Sequence, residues 1–88
     1  MRAPTFDGSQ ACAGADLELF FPTVAGPAAT RATDRAKELC AGCRFLQPCG
    51  DYAVWAQGVP GRYVSGVWGG TTDGERLRIR QAQRRAAA

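Results

Sequence analysis

The sequence predicts a small all-α domain. Three to four short helices are held together by a four-cysteine site, with a glycine-rich turn and a basic C-terminal helix or tail after them. Three observations predict it. The 88 residues include only four Phe, two Trp and two Tyr, while Ala and Gly are abundant; so small a core needs a staple to be stable. The cysteines fall as Cys12-x27-Cys40-x2-Cys43-x5-Cys49, with no histidine in the chain. The rest divides into helix-periodic stretches between Gly and Pro stops. One domain covers residues 1–88: 1–71 carries the cysteines and the turn, and 72–88 is the basic end.

Residues 1–11 read as irregular, with Pro4, Asp7-Gly8 and Ser9 as turn formers. Ala13 to Phe21 holds a short helical turn, with Asp16 as N-cap and Pro22 as stop. Pro27 suits a first helical position, where its missing N–H costs nothing. The helix it starts runs to Ala41 and is closed by Gly42. Ala29, Ala32, Ala36, Leu39, Cys40 and Cys43 share one side, while Arg31, Asp34, Arg35, Lys37 and Glu38 mostly face away. Cys40 and Cys43 therefore stand at a helix C-terminus.

Pro48 opens a further helix through Cys49, Tyr52, Ala53 and Ala56, ended by Gly58. Cys49 then sits near the positive end of the helix dipole, which favours a thiolate. Arg62 to Ser65 reads as a short extended piece. Gly66-Val67-Trp68-Gly69-Gly70 reads as a tight turn that fixes Trp68, because glycine permits positive φ and close backbone approach. Trp68 then either plugs the core or meets a partner. Thr72 and Glu75 have capping-box spacing, so a helix follows from Asp73 to about Arg85, mostly exposed and frayed beyond Gln81.

The cysteines admit four chemistries. Two disulfides suit a secreted chain, but Met1 to Phe6 lacks the apolar core of a signal peptide. No run is long and apolar enough for a membrane helix, so the expected location is the cytoplasm. Zinc modules usually show two close cysteine pairs or histidines, and this chain has one such pair. A C-x-x-C dithiol is a redox pattern, here without thioredoxin-like surroundings. A [4Fe–4S] cluster takes four thiolates from wider positions and fits best; zinc stays open, since four thiolates suit either metal.

Charge is uneven. From Gly74 onward there is one acid, Glu75, against Arg76, Arg78, Arg80, Arg84 and Arg85. Such an end suits an anionic partner such as nucleic acid, or simply a solvated helix end.

Taken in order, four features resemble the WhiB-like family, small iron–sulfur transcription regulators of actinobacteria and their phages. They are Cys12 followed by Leu19-Phe20-Phe21-Pro22, the C-x2-C-x5-C of Cys40, Cys43 and Cys49, the Gly-Val-Trp-Gly-Gly turn, and the basic C-terminal helix. The resemblance covers nearly the whole chain. It implies short helices wrapped around one [4Fe–4S] cluster held by Cys12, Cys40, Cys43 and Cys49. It implies binding to region 4 of the primary sigma factor of RNA polymerase through Phe6, Phe20, Phe21, Gly66, Val67, Trp68, Gly69 and Gly70. It implies promoter contact through Arg78, Arg80, Arg84 and Arg85, and a cluster responsive to nitric oxide or oxygen. The tail lacks the Arg-Gly-Arg-Pro element seen in some members, so phosphate contacts that position the protein are expected rather than base reading. The family is not primarily enzymatic. The alternatives are a thiol–disulfide oxidoreductase of the cluster-free form using Cys40 and Cys43, and a four-thiolate zinc adaptor.

Overall fold

The computed structural model describes residues 1–62 and 64–87. The helices are α1 (Leu17–Phe20), α2 (Pro27–Ala41), α3 (Leu46–Ala56) and α4 (Asp73–Ala87). No strand lies among the described residues; Trp68 and Thr71 form one isolated antiparallel bridge. The extended piece expected over Arg62 to Ser65 includes Tyr63, which lies outside the described residues, as does Ala88.

Local chemistry accounts for most helix ends. Asp16 caps α1, its Oδ1 accepting from the Glu18 N–H at 3.0 Å. The helical turn expected over Ala13 to Phe21 is shorter than that, because residues 10–15 are turns: Ala13 N–H donates to Gln10 O, and Ala15 N–H to Cys12 O. Pro27 is the first residue of α2, and Gly42 caps its end. Gly42 has φ −94°, so this cap closes without the left-handed geometry that glycine usually supplies. At α4, Thr72 N–H donates to Glu75 Oε1 at 2.9 Å and Glu75 N–H donates to Thr72 Oγ1 at 3.3 Å, a reciprocal capping box.

Two further boundaries differ from expectation. α3 begins at Leu46 rather than Pro48. Pro48 falls within the first turn, where no intrahelical N–H is needed, so it does not have to come first. α4 runs unbroken to Ala87 instead of fraying at Gln81.

α1 packs on α2, and α3 on α4. The core cluster is Phe20, Ala36, Cys40 and Val67, with Leu19, Leu39 and Leu46 against it. Ala53 and Ala56 are fully buried on α3. Lys37 of α2 pairs with Glu75 of α4 at 2.8 Å and links the two helices. No described helix is long and apolar enough to cross a membrane.

Candidate functional site

The four cysteines come from three kinds of backbone. Cys12 is exposed on the N-terminal turn, Cys40 is buried in the last turn of α2, Cys43 follows in the link, and Cys49 is in the first turns of α3. All four are free thiols and all line one mostly apolar cavity of about 210 Å³. The N-terminal segment is brought there by the edge-on stacking of Phe6 on Phe45, centroids 5.1 Å apart, and by the Ala11 N–H, which donates to Cys43 Sγ at 3.3 Å.

Backbone donors gather on the sulfurs. Cys43 Sγ also accepts from the Phe45 N–H at 3.4 Å. The N–H of Gly70 is turned towards Cys40, and that of Gly69 towards Cys49, each favouring the charged form. Burial works the other way. It raises the Cys40 thiol above its ordinary value and pushes Cys49 up to about 11, and the neighbouring thiols add to both shifts. Burial therefore opposes the thiolate that the start of α3 was expected to favour at Cys49.

That combination fits a cationic group. Clustered sulfurs in apolar surroundings resist ionisation alone, while N–H donors already in place suit sulfur that carries charge. A lone zinc ion draws its sulfurs to about 2.3 Å from one point. Here the four thiols border one cavity, and that donor set suits a [4Fe–4S] cluster, each of whose irons takes one thiolate.

The glycine-rich turn forms one wall. Gly66, Gly69 and Gly70 have φ of 84°, 54° and 74°. A Cβ on Gly66 would stand 2.4 Å from Phe20 O, and one on Gly69 would stand 2.3 Å from Gly50 N. No side chain fits at either position, so backbone meets backbone here. Trp68 is half-buried, its indole N–H donating to Ser65 O at 2.8 Å, and its ring lies 6.2 Å from Tyr52.

The residues expected at a partner surface divide. Phe6 and Phe21 are exposed, at 40% and 42%, whereas Phe20 and Val67 are each only 6% exposed. As side chains offered to a partner by the free chain, Phe20 and Val67 are thus corrected to core positions. The Val67 N–H donates to Phe20 O at 2.9 Å, which seals α1 against the turn and turns both side chains inward.

The arginines also divide. Arg78, Arg84 and Arg85 are exposed. Arg80 is half-buried, its Nη1 donating to Val54 O at 3.0 Å on α3. Arg76 is fully buried and is the largest fully buried side chain. Its Nε donates to Gln57 Oε1 at 2.8 Å, Nη1 to Thr71 O at 2.6 Å and Nη2 to Gly66 O at 2.9 Å, and Nη2 also pairs with Asp73. Sequence reasoning grouped Arg76 with the basic end and missed this. The available signal was Asp73 three residues ahead, directly after the glycine turn.

The family model for the transcription factor WhiB matches residues 7–79, which include all four cysteines and the glycine-rich turn. The transcriptional regulator WhiB2 of Mycobacterium tuberculosis is 36% identical over 70 residues, covering 80% of this chain and 67% of that protein. The transcriptional regulator WhiB of Streptomyces coelicolor is 35% identical over 71 residues, covering 81% and 70%. The redox-responsive transcriptional regulator WhiB3 of Mycolicibacterium smegmatis is 35% identical over 79 residues, covering 86% and 77%.

Proposed function

The chain belongs to the WhiB family of transcription factors, and from that premise we propose that it is an iron–sulfur regulator acting with region 4 of the primary sigma factor of RNA polymerase. Cys12, Cys40, Cys43 and Cys49 hold one [4Fe–4S] cluster. The observation that carries this reading is that all four free thiols line one apolar cavity, with two N–H donors already on Cys43 Sγ. When bound, the cluster supplies a centre reactive towards nitric oxide and oxygen and a cross-link between helices that share little core.

The chain's own residues do the rest. Phe6, Phe21 and the exposed part of Trp68 border the cavity and form an apolar rim for the sigma domain. Phe20 and Val67 support that rim from beneath, and Gly66, Gly69 and Gly70 hold Trp68 in one position. A rigid aromatic loses little entropy on binding. Arg78, Arg84 and Arg85 meet promoter phosphates, and Arg80 has its guanidinium committed to α3. Burial raises the Cys40 thiol, which makes it a poorer nucleophile and weighs against a disulfide reductase role for the Cys40 and Cys43 pair.

The test is iron, acid-labile sulfide and zinc per chain on protein purified without oxygen, alone and co-expressed with sigma region 4. About four irons and four sulfides with co-purifying sigma are expected; one zinc without sulfide overturns the cluster. Trp68→Ala that stays folded is expected to lose sigma affinity, and unchanged affinity removes Trp68 from the interface.

A further inference from the structure

Arg76 makes more contacts than a helix-capping arginine requires. One guanidinium collects Gly66 O and Thr71 O, the two ends of the glycine-rich turn, together with Gln57 just past α3 and Asp73 at the start of α4. Thr71 Oγ1 is also within reach of Nη1 at 3.2 Å. Between those two carbonyls the turn meets the cysteines: Val67, Trp68 and Gly69 line the cavity that all four share, a Cβ on Gly70 would lie 3.8 Å from Cys40 Cβ, and the Gly69 and Gly70 N–H groups favour the charged forms of Cys49 and Cys40. Elsewhere the turn is held at its middle, by the Val67 N–H on Phe20 O and the Trp68 indole N–H on Ser65 O, and among the described residues no other side chain reaches both of its ends. Its own closure is the Trp68–Thr71 bridge, and three of its residues are glycines with positive φ and a wide choice of conformation when released.

We propose that Arg76 is the positioning residue of the cysteine site: by clamping both ends of the Gly66–Thr71 turn, it holds the Gly69 and Gly70 backbone as a wall of the cavity beside Cys49 and Cys40 and makes helix α4 part of that site. A planar guanidinium with five donors in a fixed fork serves four acceptors at once, which an ammonium on a flexible stem does not. The arginine is paired with Asp73 and fully hydrogen-bonded, so its burial is compensated. Its consequence is two-way. A change in charge at the sulfurs bears on the turn and through Arg76 on α4, and a pull on α4 bears on the N–H donors.

The part of this that concerns a cluster rests on the reading above, and the experiment separates the two. The full chain is purified without oxygen as wild type, Arg76→Met, Arg76→Lys and Lys37→Met. The last cuts a different link to α4, the one between Lys37 and Glu75. Three quantities are read: hydrogen–deuterium exchange of the peptide spanning Gly66 to Thr71, reduction potential, and rate of iron loss to a chelator. Arg76→Met is expected to exchange at that peptide at least about tenfold faster. It is also expected to have a lower potential, because N–H donors to sulfur favour the reduced, more negative cluster. Arg76→Lys should fall between, and Lys37→Met should match wild type in exchange and potential. Wild-type exchange and potential in Arg76→Met overturn the proposal, as does an equal change in Lys37→Met, which would mean general loosening. If Arg76→Met does not fold, Arg76→Lys decides by the same readouts. If wild type carries no iron or sulfide, the cluster reading fails, while exchange at the turn still judges the clamp.

Discussion

Both halves of α4 carry arginines, and those arginines meet opposite surroundings. In residues 73–80, Arg76 is buried, Arg80 hydrogen-bonds to α3, and Glu75 is bound to Thr72 and Lys37. In residues 81–87 every side chain is exposed, including Arg84 and Arg85. Arginine count does not separate the halves; the partners brought to them do. A basic helix can therefore be part structural member and part free surface: Arg76 and Arg80 are tied to the fold, while Arg78, Arg84 and Arg85 keep their charge available to an anionic ligand.

Arg76→Met should have the largest effect in the docked half. It leaves Gly66 O and Gln57 Oε1 without the Arg76 donor, takes one of two donors from Thr71 O and strips Asp73 of its partner, at an expected cost of about 3–5 kcal/mol. Chemical denaturation checks this, and a loss below about 1 kcal/mol would mean that water replaces the clamp. Gly69→Ala attacks the same junction from the turn side. Its Cβ would press on Gly50 N and Leu46 O in a backbone of φ 54°, and a destabilisation of about 2–4 kcal/mol is expected. A Gly69→Ala protein with the wild-type melting midpoint would show that the turn re-forms freely.

A smaller effect depends on pH. The Lys37 side chain and then the Thr72 N–H hold the Glu75 carboxyl at about 2, below its ordinary 4.5. The folded-state value is depressed, so the stabilisation is complete above pH 4.5 and fades as pH falls towards 2. The gap in thermal midpoint between wild type and Glu75→Gln should accordingly be widest near neutral pH and narrow below pH 4.5. A gap independent of pH would show that the capping contact, not the charge, matters.

The smallest stability effect is expected in the free half. Arg84→Ala and Arg85→Ala should each change stability by less than about 0.5 kcal/mol. If these residues meet phosphates, each substitution should lower the salt slope of DNA binding by about 1. An unchanged slope with a lowered melting point would reverse the contrast between the halves.

What the sequence made legible is what local chemistry decides. Pro27, Gly42, Asp16 and the Thr72–Glu75 box each act within a few residues of themselves, and each does in the structure what its spacing implies. The inward side of α2 was also readable, because periodicity survives folding. Illegible were the features set by distant partners. Arg76 finds acceptors on Gln57, Gly66 and Thr71 as well as its neighbour Asp73. Which member of the Phe20–Phe21 pair turns inward depends on Val67 meeting the Phe20 carbonyl. The state of the Cys49 thiol depends on burial that no helix-end rule contains. The four cysteines themselves stood out by spacing, but their gathering around one cavity required the N-terminal segment to fold back through Phe6 and Ala11.

The exposed turn that carries Cys12 gives the site a chronology. Cys12 leaves the ribosome before the other three ligands, yet 27 residues separate it from Cys40, and it is carried on local turns rather than a helix. Cys40, Cys43 and Cys49 sit close together in sequence at the meeting ends of α2 and α3, so their loop is short and closes early. Cys12 must then cross the longer loop to join them. On loop length, the first of these cysteines to be made is the last to be gathered, and until it arrives the cavity lacks the wall that Phe6, Ala11 and Cys12 supply.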